Sequence, residues 1–204
     1  MVTRTRLPPD GRVQRSERSR EAIVKAMLEL IGEGSISPTA QQVAERADVG
    51  VRTVFRHFSD MDTLFATMNE RLTEEVSSLF IDEVQTGNLK TRLEAMIENR
   101  LAILEKLEPY LRTSALQRTR SPFLEKQHDR NIRTLRRDLR RWLPELDSAA
   151  PELEAGLEMV LSFDAFNQLR RDQRLGIRNT HAVLCRVALG LMEGFPCIGE
   201  EVSR

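Results

Sequence analysis

The sequence predicts an all-α protein in which a small N-terminal three-helix domain precedes a larger helical bundle. Apolar residues recur at helical spacing along most of the chain, and capping or helix-stopping residues mark the ends of these stripes. Eight prolines and ten glycines in 204 residues leave long segments free for helices. A chain of this length can bury a sizeable core without a disulfide or a structural metal.

The composition predicts a cytoplasmic protein that needs no cofactor and no metal. The 31 basic and 31 acidic residues give zero net charge, so the overall charge does not indicate a nucleic-acid partner. Its two cysteines, Cys185 and Cys197, have no metal-like spacing, which is typical of a reducing compartment. No apolar run approaches the ~20 residues of a membrane span. The basic N-terminus also lacks the apolar region of a signal peptide.

The first 20 residues are basic, with six arginines against two acidic residues. We expect residues 1–14 to be a disordered arm. Such an arm is either a solvated tail or a segment that reaches the phosphates or minor groove of DNA. The arginines nearest the first helix are the candidate contacts, namely Arg15, Arg18 and Arg20.

Three short helices are predicted at the N-terminus. An apolar stripe over residues 20–33 predicts the first helix, which Gly32 and Gly34 end. Thr39 and Gln42 form a capping-box pattern at the start of a brief second helix. A third short helix is predicted over residues 51–58.

A longer fourth helix follows, and we expect Ser59, with Asp62 three residues later, to cap it. Further helices are predicted over residues 89–107, 110–117, 123–143, 151–172 and 177–195. Apolar residues cover more than one face of the last two, so this pair needs a second burial surface, which we expect to be the same pair of another subunit. The candidate interface residues are Leu157, Leu161, Phe166, His181, Leu184, Ala188 and Leu191.

The second and third helices have the pattern of a helix-turn-helix, in which one helix enters the major groove of DNA. Val43, Ala44, Val54 and Phe58 occupy positions that must pack together, and small alanines let the helix axes approach closely. The polar and aromatic residues left around this core are candidate contacts to bases and phosphates. They are Thr39, Gln41, Arg52, Thr53, Phe55, Arg56 and His57.

Residues 39–65 resemble the DNA-binding domain of the tetracycline-repressor (TetR) family. The matching positions are Thr39, Val43-Ala44, Val49, Val54-Phe55, His57-Phe58, Ser59 and Leu64. The resemblance implies a homodimer that binds a near-palindromic operator, represses transcription and is released by a small molecule. It also implies a DNA-binding domain at 15–62, an effector-binding and dimerisation domain at 63–195 and a tail at 196–204.

The sequence departs from the family pattern at three points of the DNA-binding segment. Asp48 and Gly50 replace the usual turn glycine and capping Ser/Thr, yet Asp tolerates a left-handed backbone, so we expect the turn to persist. Phe55 stands where the family usually has Tyr, which removes a phenol that often bonds a phosphate. Met61 stands where the family often has Lys, which removes another phosphate contact.

An effector site is expected among the later helices, where polar or aromatic groups lie between apolar neighbours. The candidates are Met96, Asn99, Arg100, Tyr110, Phe123, His128, Trp142 and Asp164.

Two other functional classes are weaker. His181 and Cys185 lie four residues apart on one helix, but no further ligand or base joins them, so we expect no enzymatic activity. A protein-interaction bundle without DNA binding is the alternative function. Its candidate docking surface is a row of arginines on one predicted helix, although such a row is more often an ordinary solvent-exposed face. The row consists of Arg130, Arg133, Arg136, Arg137, Arg140 and Arg141.

Overall fold

The computed structural model describes residues 11–79 and 86–194, and within these ranges it confirms the all-α fold class. The expected tail, residues 1–10 of the expected arm, and Phe80 and Phe195 lie outside the described residues. Shorter 3₁₀ or π turns link some of the helices. The α-helices are α1 Gly11–Gly32, α2 Ala40–Arg46, α3 Val51–His57, α4 Met61–Val76, α5 Leu89–Gln117, α6 Pro122–Trp142, α7 Pro151–Val160, α8 Phe163–Asn167 and α9 Ile177–Gly194.

Helix α1 begins at Gly11, well before the predicted start at Arg20, so residues 11–14 are helical rather than part of a disordered arm. The prediction relied on the apolar stripe, and the early turns of α1 bury no side chain. Their side chains instead bond the helix backbone: Arg15 Nε donates to the Gly11 carbonyl at 3.0 Å, and Ser19 Oγ donates to the Arg15 carbonyl at 3.0 Å.

The predicted caps of α1 and α2 are confirmed. Gly34 has φ +100°, which favours glycine, and lets the Ser35 N–H donate to the Leu30 carbonyl at 2.9 Å beyond the end of α1. At α2, the Thr39 side chain accepts from the Gln42 N–H at 3.2 Å. The Gln42 side chain in turn accepts from the Thr39 N–H at 2.9 Å, which completes the capping box.

The expected cap of α4 was wrong. Asp60, not Ser59, accepts from the Thr63 N–H, through Oδ1 at 2.8 Å, and the Ser59 hydroxyl only bonds neighbouring side chains. The Asp62 carboxylate accepts from the Ser121 hydroxyl at 2.5 Å and from the Phe123 N–H at 3.2 Å. The sequence alone does not show which of Ser59, Asp60 and Asp62 caps α4, because all three residue types are common at the start of a helix.

Two predicted helix boundaries were also wrong. α5 runs unbroken through Pro109, where the sequence predicted two helices, over residues 89–107 and 110–117. Proline removes one backbone hydrogen bond and disfavours a helix interior, yet α5 continues beyond Pro109 to Gln117. Conversely, the helix predicted over 151–172 ends at Val160, because Ser162 caps α8 by accepting from the Ala165 N–H at 3.1 Å.

The chain divides into two compact units. Unit one contains residues up to Thr73 together with Arg112–Glu125, and unit two contains Glu74–Leu111 together with the residues from Lys126 onward. The core of unit one includes Ile23, Met27, Ile31, Val43, Ala44, Val54, Phe58 and Leu64, all at most 1% exposed. The core of unit two includes Leu93, Met96, Ile97, Leu139, Trp142, Leu143, Leu157 and Ala188, also at most 1% exposed. Among the described residues, no helix is both long and apolar enough to span a membrane.

The assignment of the α4 cap makes a testable prediction. Asp60→Ala should lower the thermal unfolding midpoint clearly, because the Thr63 N–H loses its acceptor, while Ser59→Ala should lower it less. The hydrogen bond from the Thr63 backbone lowers the pKa of Asp60. The parent protein should therefore exceed Asp60→Ala in stability by the full amount above the ordinary carboxyl pKa of about 3.9. This difference in stability should be lost as the pH falls through the lowered pKa of Asp60. Equal midpoints for the two variants at neutral pH would contradict the assignment.

Candidate nucleic-acid interface

Helix α3 exposes a polar and aromatic surface above an apolar anchor. Val54 and the following Phe58 are each 1% exposed and fix the helix to the core of unit one. Arg52 and Arg56 are exposed, and the Phe55 ring is 49% exposed. A helix held in this way can offer guanidinium groups and a hydroxyl to base edges or phosphates without losing core contacts.

The turn before α3 sets the direction of that surface. Asp48 adopts the left-handed conformation at φ 52°, as expected for a residue replacing the usual glycine. The Val49 N–H donates to the Ala44 carbonyl at 3.0 Å, which closes the end of α2, and Gly50 then precedes α3 without a side-chain cap. The tight helix-turn-helix geometry predicted from the sequence is therefore present.

An ion pair that the sequence analysis did not foresee joins α1 to α2. Arg46 binds Glu33 with both guanidinium nitrogens, at 2.8 and 2.6 Å, and a further contact of 3.6 Å reaches Glu29. The hydrogen bond lowers the pKa of Glu33 and raises that of Arg46. This bidentate pair lies next to the Gly34 turn and helps to orient α2 on α1.

The two predicted contacts on α2 differ in their availability. Thr39 is exposed, but its hydroxyl takes part in the capping box. Gln41 is exposed and its amide donates to Glu45 at 2.7 Å, a partner on the same helix that water or a nucleic acid can replace.

The two arginines predicted on the first helix also differ. Arg18 is exposed on α1. Arg20 is exposed as well, but its guanidinium carbon lies 5.0 Å from the centre of the Phe58 ring, and Nη2 donates to Thr67 Oγ1 at 3.0 Å. Arg20 thus ties α1 to the end of α3 and to α4 through a cation–π contact, which residue spacing alone does not reveal.

His57 is turned further inward than predicted. Its side chain is half-buried, and Nε2 is buried without a hydrogen-bond partner among the described residues. Burial lowers the pKa of His57, and the charges of Arg56 and Arg20 lower it further. The neutral ring is therefore the favoured form at neutral pH. His57 contributes to the packing of α3 rather than to its positive charge.

The predicted dimer contacts need correction. Leu157, Leu161, Phe166, Leu184 and Ala188 are at most 4% exposed within a single subunit, so they belong to the core of unit two and are closed to a partner. His181 and Leu191 are half-buried. The sequence showed that α7 and α9 are apolar on several faces, but it did not show which face the subunit itself covers.

The apolar residues that remain exposed on α7 and α9 form a different set. Met159 is 69% exposed, Val187 is 43% exposed and Val183 is 36% exposed. Ala182 and Gly190 lie on the same exposed side of α9.

The predicted effector residues differ in burial and are divided between the two units. Met96 and Trp142 are core residues at 1% exposure, Asp164 is exposed, and Phe123 belongs to unit one whereas the others belong to unit two. Asn99 donates to the Leu79 carbonyl.

Three further candidates are at least half-buried in unit two. Tyr110 and His128 are half-buried, and burial raises the pKa of Tyr110. Arg100 is buried, and its Nη2 lies 3.9 Å from Asp138 Oδ2.

The His181–Cys185 pair lacks the electrostatics of a reactive site. Cys185 Sγ lies 3.5 Å from His181 Nε2, but burial raises the pKa of the thiol to about 11, so it stays protonated. Within the described ranges, no group of three or more His, Cys, Asp and Glu side chains is arranged to hold a metal ion.

Comparisons with known proteins agree with this geometry. Residues 23–68 match the family profile described as bacterial regulatory proteins, tetR family. No curated protein sequence matches the chain significantly.

Several solved structures share the fold. A transcriptional regulator from Rhodococcus sp. Rha1 aligns with TM-score 0.65 and 21% identity over 88% of this chain and 97% of that one. A TetR-family regulator from Mesorhizobium loti aligns with TM-score 0.62 and 16% identity, over 89% of this chain and 98% of that one. NalD, the secondary repressor of the MexAB-OprM multidrug efflux pump of Pseudomonas aeruginosa, aligns with TM-score 0.53 and 20% identity, covering 91% of this chain and 99% of that one.

The position of His57 predicts its titration. An NMR titration of the full chain should give His57 a pKa below the ordinary value of about 6.5, and Arg56→Gln should raise it. Lys25→Gln, which removes a charge paired with Glu29, is the control and should leave it unchanged. Because the folded-state pKa is lowered, the contribution of His57 to stability is complete above about 6.5 and declines as the pH falls through the folded value. A pKa at or above 6.5 would show that the ring is solvated.

Proposed function

We propose that the chain is a DNA-binding regulator of the TetR type that acts as a dimeric repressor, because residues 23–68 match the profile of that family. In this proposal the dimer binds a near-palindromic operator through α3 of each subunit, and a small molecule that enters unit two releases it. The carrying observation is the exposed surface of α3, where Arg52, Phe55 and Arg56 project beyond a fully buried anchor.

Arg52 is the proposed base-reading residue. It is the second residue of α3, and the N-terminal residues of a recognition helix are those that meet base edges. A guanidinium that bonds a guanine in a bidentate manner is the commonest specific contact of this kind. Arg56, Arg18, Gln41, Thr39 and Thr53 are proposed to contact phosphates or neighbouring bases.

A dimer through α7 and α9 is proposed on the basis of the exposed apolar side chains. Val183 and Val187 lie one helical turn apart on α9, and small Ala182 and Gly190 beside them allow a second helix to approach closely. We propose that these exposed side chains, together with the exposed Arg186 beside them, form part of an interaction surface. Two-fold symmetry would place the operator half-sites about one turn of DNA apart, about 34 Å or somewhat more.

Repression is proposed from the way in which a bound dimer would act and from the description of one structural neighbour. A dimer bound over a promoter excludes other proteins, and NalD, which has the same fold, is described as a repressor. An effector that lowers operator affinity ~100-fold must bind the released state more favourably by about 2.7 kcal/mol.

The alternative of an interaction bundle without DNA binding loses support from α6. Arg140 pairs with Glu154 at 2.6 and 2.7 Å, and Arg136 pairs with Glu158. Both acidic residues belong to α7. These arginines already hold two helices together, so the row is less available to an acidic partner.

The DNA-reading role of Arg52 is tested by selecting binding sites from random duplexes. The parent protein should select a two-fold symmetric site. Arg52→Ala should weaken binding to that site by about 1 to 3 kcal/mol per half-site and relax base choice at one position, because a base contact is lost. Arg137→Ala, which removes an exposed arginine of unit two, is the control and should change neither. An affinity loss that is equal for all sequences would assign Arg52 to a phosphate.

The dimer surface is tested by Val183→Asp and Val187→Asp. Each should shift the protein to monomers in light scattering while the helical circular dichroism stays unchanged, because a charge enters an apolar contact. Ile132→Asp, at an exposed apolar position of α6, is the matched control and should remain dimeric. Leu184→Asp should instead unfold the subunit, since Leu184 is 4% exposed. Dimers that persist in both valine variants would place the interface elsewhere.

A further inference from the structure

A cleft in unit two is large enough to hold a small molecule. Its volume is about 540 Å³, and clefts that bind small molecules commonly have volumes of about 300 to 1,000 Å³. Its walls come from α5, from α8 and from the segment between α8 and α9, so all of the lining residues belong to unit two. The cleft opens to solvent, and a ligand can therefore enter it without a rearrangement of the helices.

One arginine of the cleft holds its wall in place. Arg170 Nη1 donates to the Leu175 carbonyl at 2.7 Å, and Nη2 donates to Glu105 of α5 at 2.9 Å. The guanidinium thus fixes the chain that precedes α9 and joins it to α5. A wall that is bonded in this way can keep its shape when no ligand is present.

Two other arginines of the cleft have donors to spare. Arg171 donates to Glu108 at 2.6 Å through Nε, so its two Nη groups have no hydrogen bond within the part of the chain that the structure describes. Arg174 is exposed and makes no hydrogen bond or ion pair with any described residue. Three arginines and two glutamates line the cleft, which leaves one excess positive charge. These donors and this charge favour an external anion.

The backbone beside the cleft is unusual at two points. Residues Gln168–Asp172 form a π turn, a feature that is frequent at functional sites. Arg174 has φ 55°, a left-handed conformation that is unfavourable for a residue with a Cβ and that glycine adopts freely. The chain therefore places a guanidinium at the cleft where the backbone alone would favour glycine, as occurs where a side chain has a role in binding.

We propose that this cleft binds a small organic oxyanion, whose acidic group pairs with Arg171 and Arg174 and whose apolar body lies against Phe166 and Leu175. Carboxylate and phosphate groups both match the planar fork of a guanidinium through two parallel hydrogen bonds. Phe166 and Leu175 are the apolar side chains of the lining. A cavity of about 150 Å³ holds a benzene molecule, so the cleft has room for two fused rings with an acidic group.

This inference rests on the proposed function, because it names the chemical class of the effector. An anion that bonds Arg171 competes with Glu108 for the same guanidinium. Binding thereby exchanges a contact between α5 and the π turn for a contact with the ligand, which gives the effector a differential interaction with two states of unit two.

The test is a calorimetric titration of the full chain, without DNA, with four probes of similar shape. 2-Naphthoate, 2-naphthyl phosphate or both should bind about tenfold or more tightly than neutral 2-naphthamide and cationic 2-naphthylmethylamine, because only the oxyanions form charge-assisted hydrogen bonds with the arginines. The tighter of the two oxyanions identifies the acidic group as carboxylate or phosphate.

Arg174→Gly gives the sharpest variant, because affinity and stability should respond differently. Oxyanion affinity should fall about tenfold or more, while the thermal unfolding midpoint should not fall, since glycine favours the left-handed backbone of this position. Arg178→Gln removes an equal charge from an exposed position of α9 outside the lining and should leave the affinity unchanged.

The site would be overturned by no binding of either oxyanion, by equal binding of the oxyanions and 2-naphthamide, or by unchanged oxyanion affinity in Arg174→Gly. An operator-binding assay with the same probes separates this inference from the proposed function. An oxyanion that binds through Arg174 without releasing the operator supports the site and contradicts effector release. Release by 2-naphthamide, with no oxyanion binding, contradicts the site and leaves the regulator function intact.

Discussion

The structure of unit one depends on the burial of one face of α3 against α1 and α2. Val54 and Phe58 supply this anchor, and each is almost fully removed from water. Burial of two such side chains stabilises the packing by several kcal/mol, on the order of 1.5 to 3 kcal/mol for each one. The Asp48 turn then fixes where α3 begins, so the exposed residues of α3 point away from the core as a set. A recognition surface requires this rigidity, because base contacts lose their selectivity when the helix that carries them can rotate.

The sequence predicted the parts of unit one in which several local signals agree. The apolar stripe of α1, the Thr39 capping box, the left-handed Asp48 and the buried Val54 and Phe58 were all foreseen, because each is set by neighbouring residues. The cap of α4 was missed because Ser59, Asp60 and Asp62 all suit an N-terminus, and only the geometry selects Asp60.

The errors in unit two have different sources. The break at Leu161 follows a local cap, Ser162, that the sequence prediction did not include, whereas α5 continues through Pro109 against local propensity. The dimer residues were misassigned because periodicity shows how many faces of a helix are apolar, but not which neighbour covers each face. The exposed Met159, Val183 and Val187 could be recognised only after the core of the subunit was known.

The arginines have different roles in different parts of the molecule, and the proposed function depends on which of them are paired with acidic residues. Arg46 and Arg140 form short bidentate pairs that join helices, while Arg52 is exposed and Arg100 is buried with only long contacts. The paired arginines stabilise the scaffold, although exposed pairs contribute little individually. The exposed Arg52 is the position that we assign to the DNA.

The central claim is that α3 is the helix that reads DNA. A crystal structure of the protein with its selected operator duplex tests this most directly. The account predicts α3 in the major groove, with the Arg52 guanidinium within hydrogen-bond distance of base edges and Arg56 near the phosphates. A complex in which α3 faces solvent, while the arginine row of α6 lies along the duplex, would contradict it.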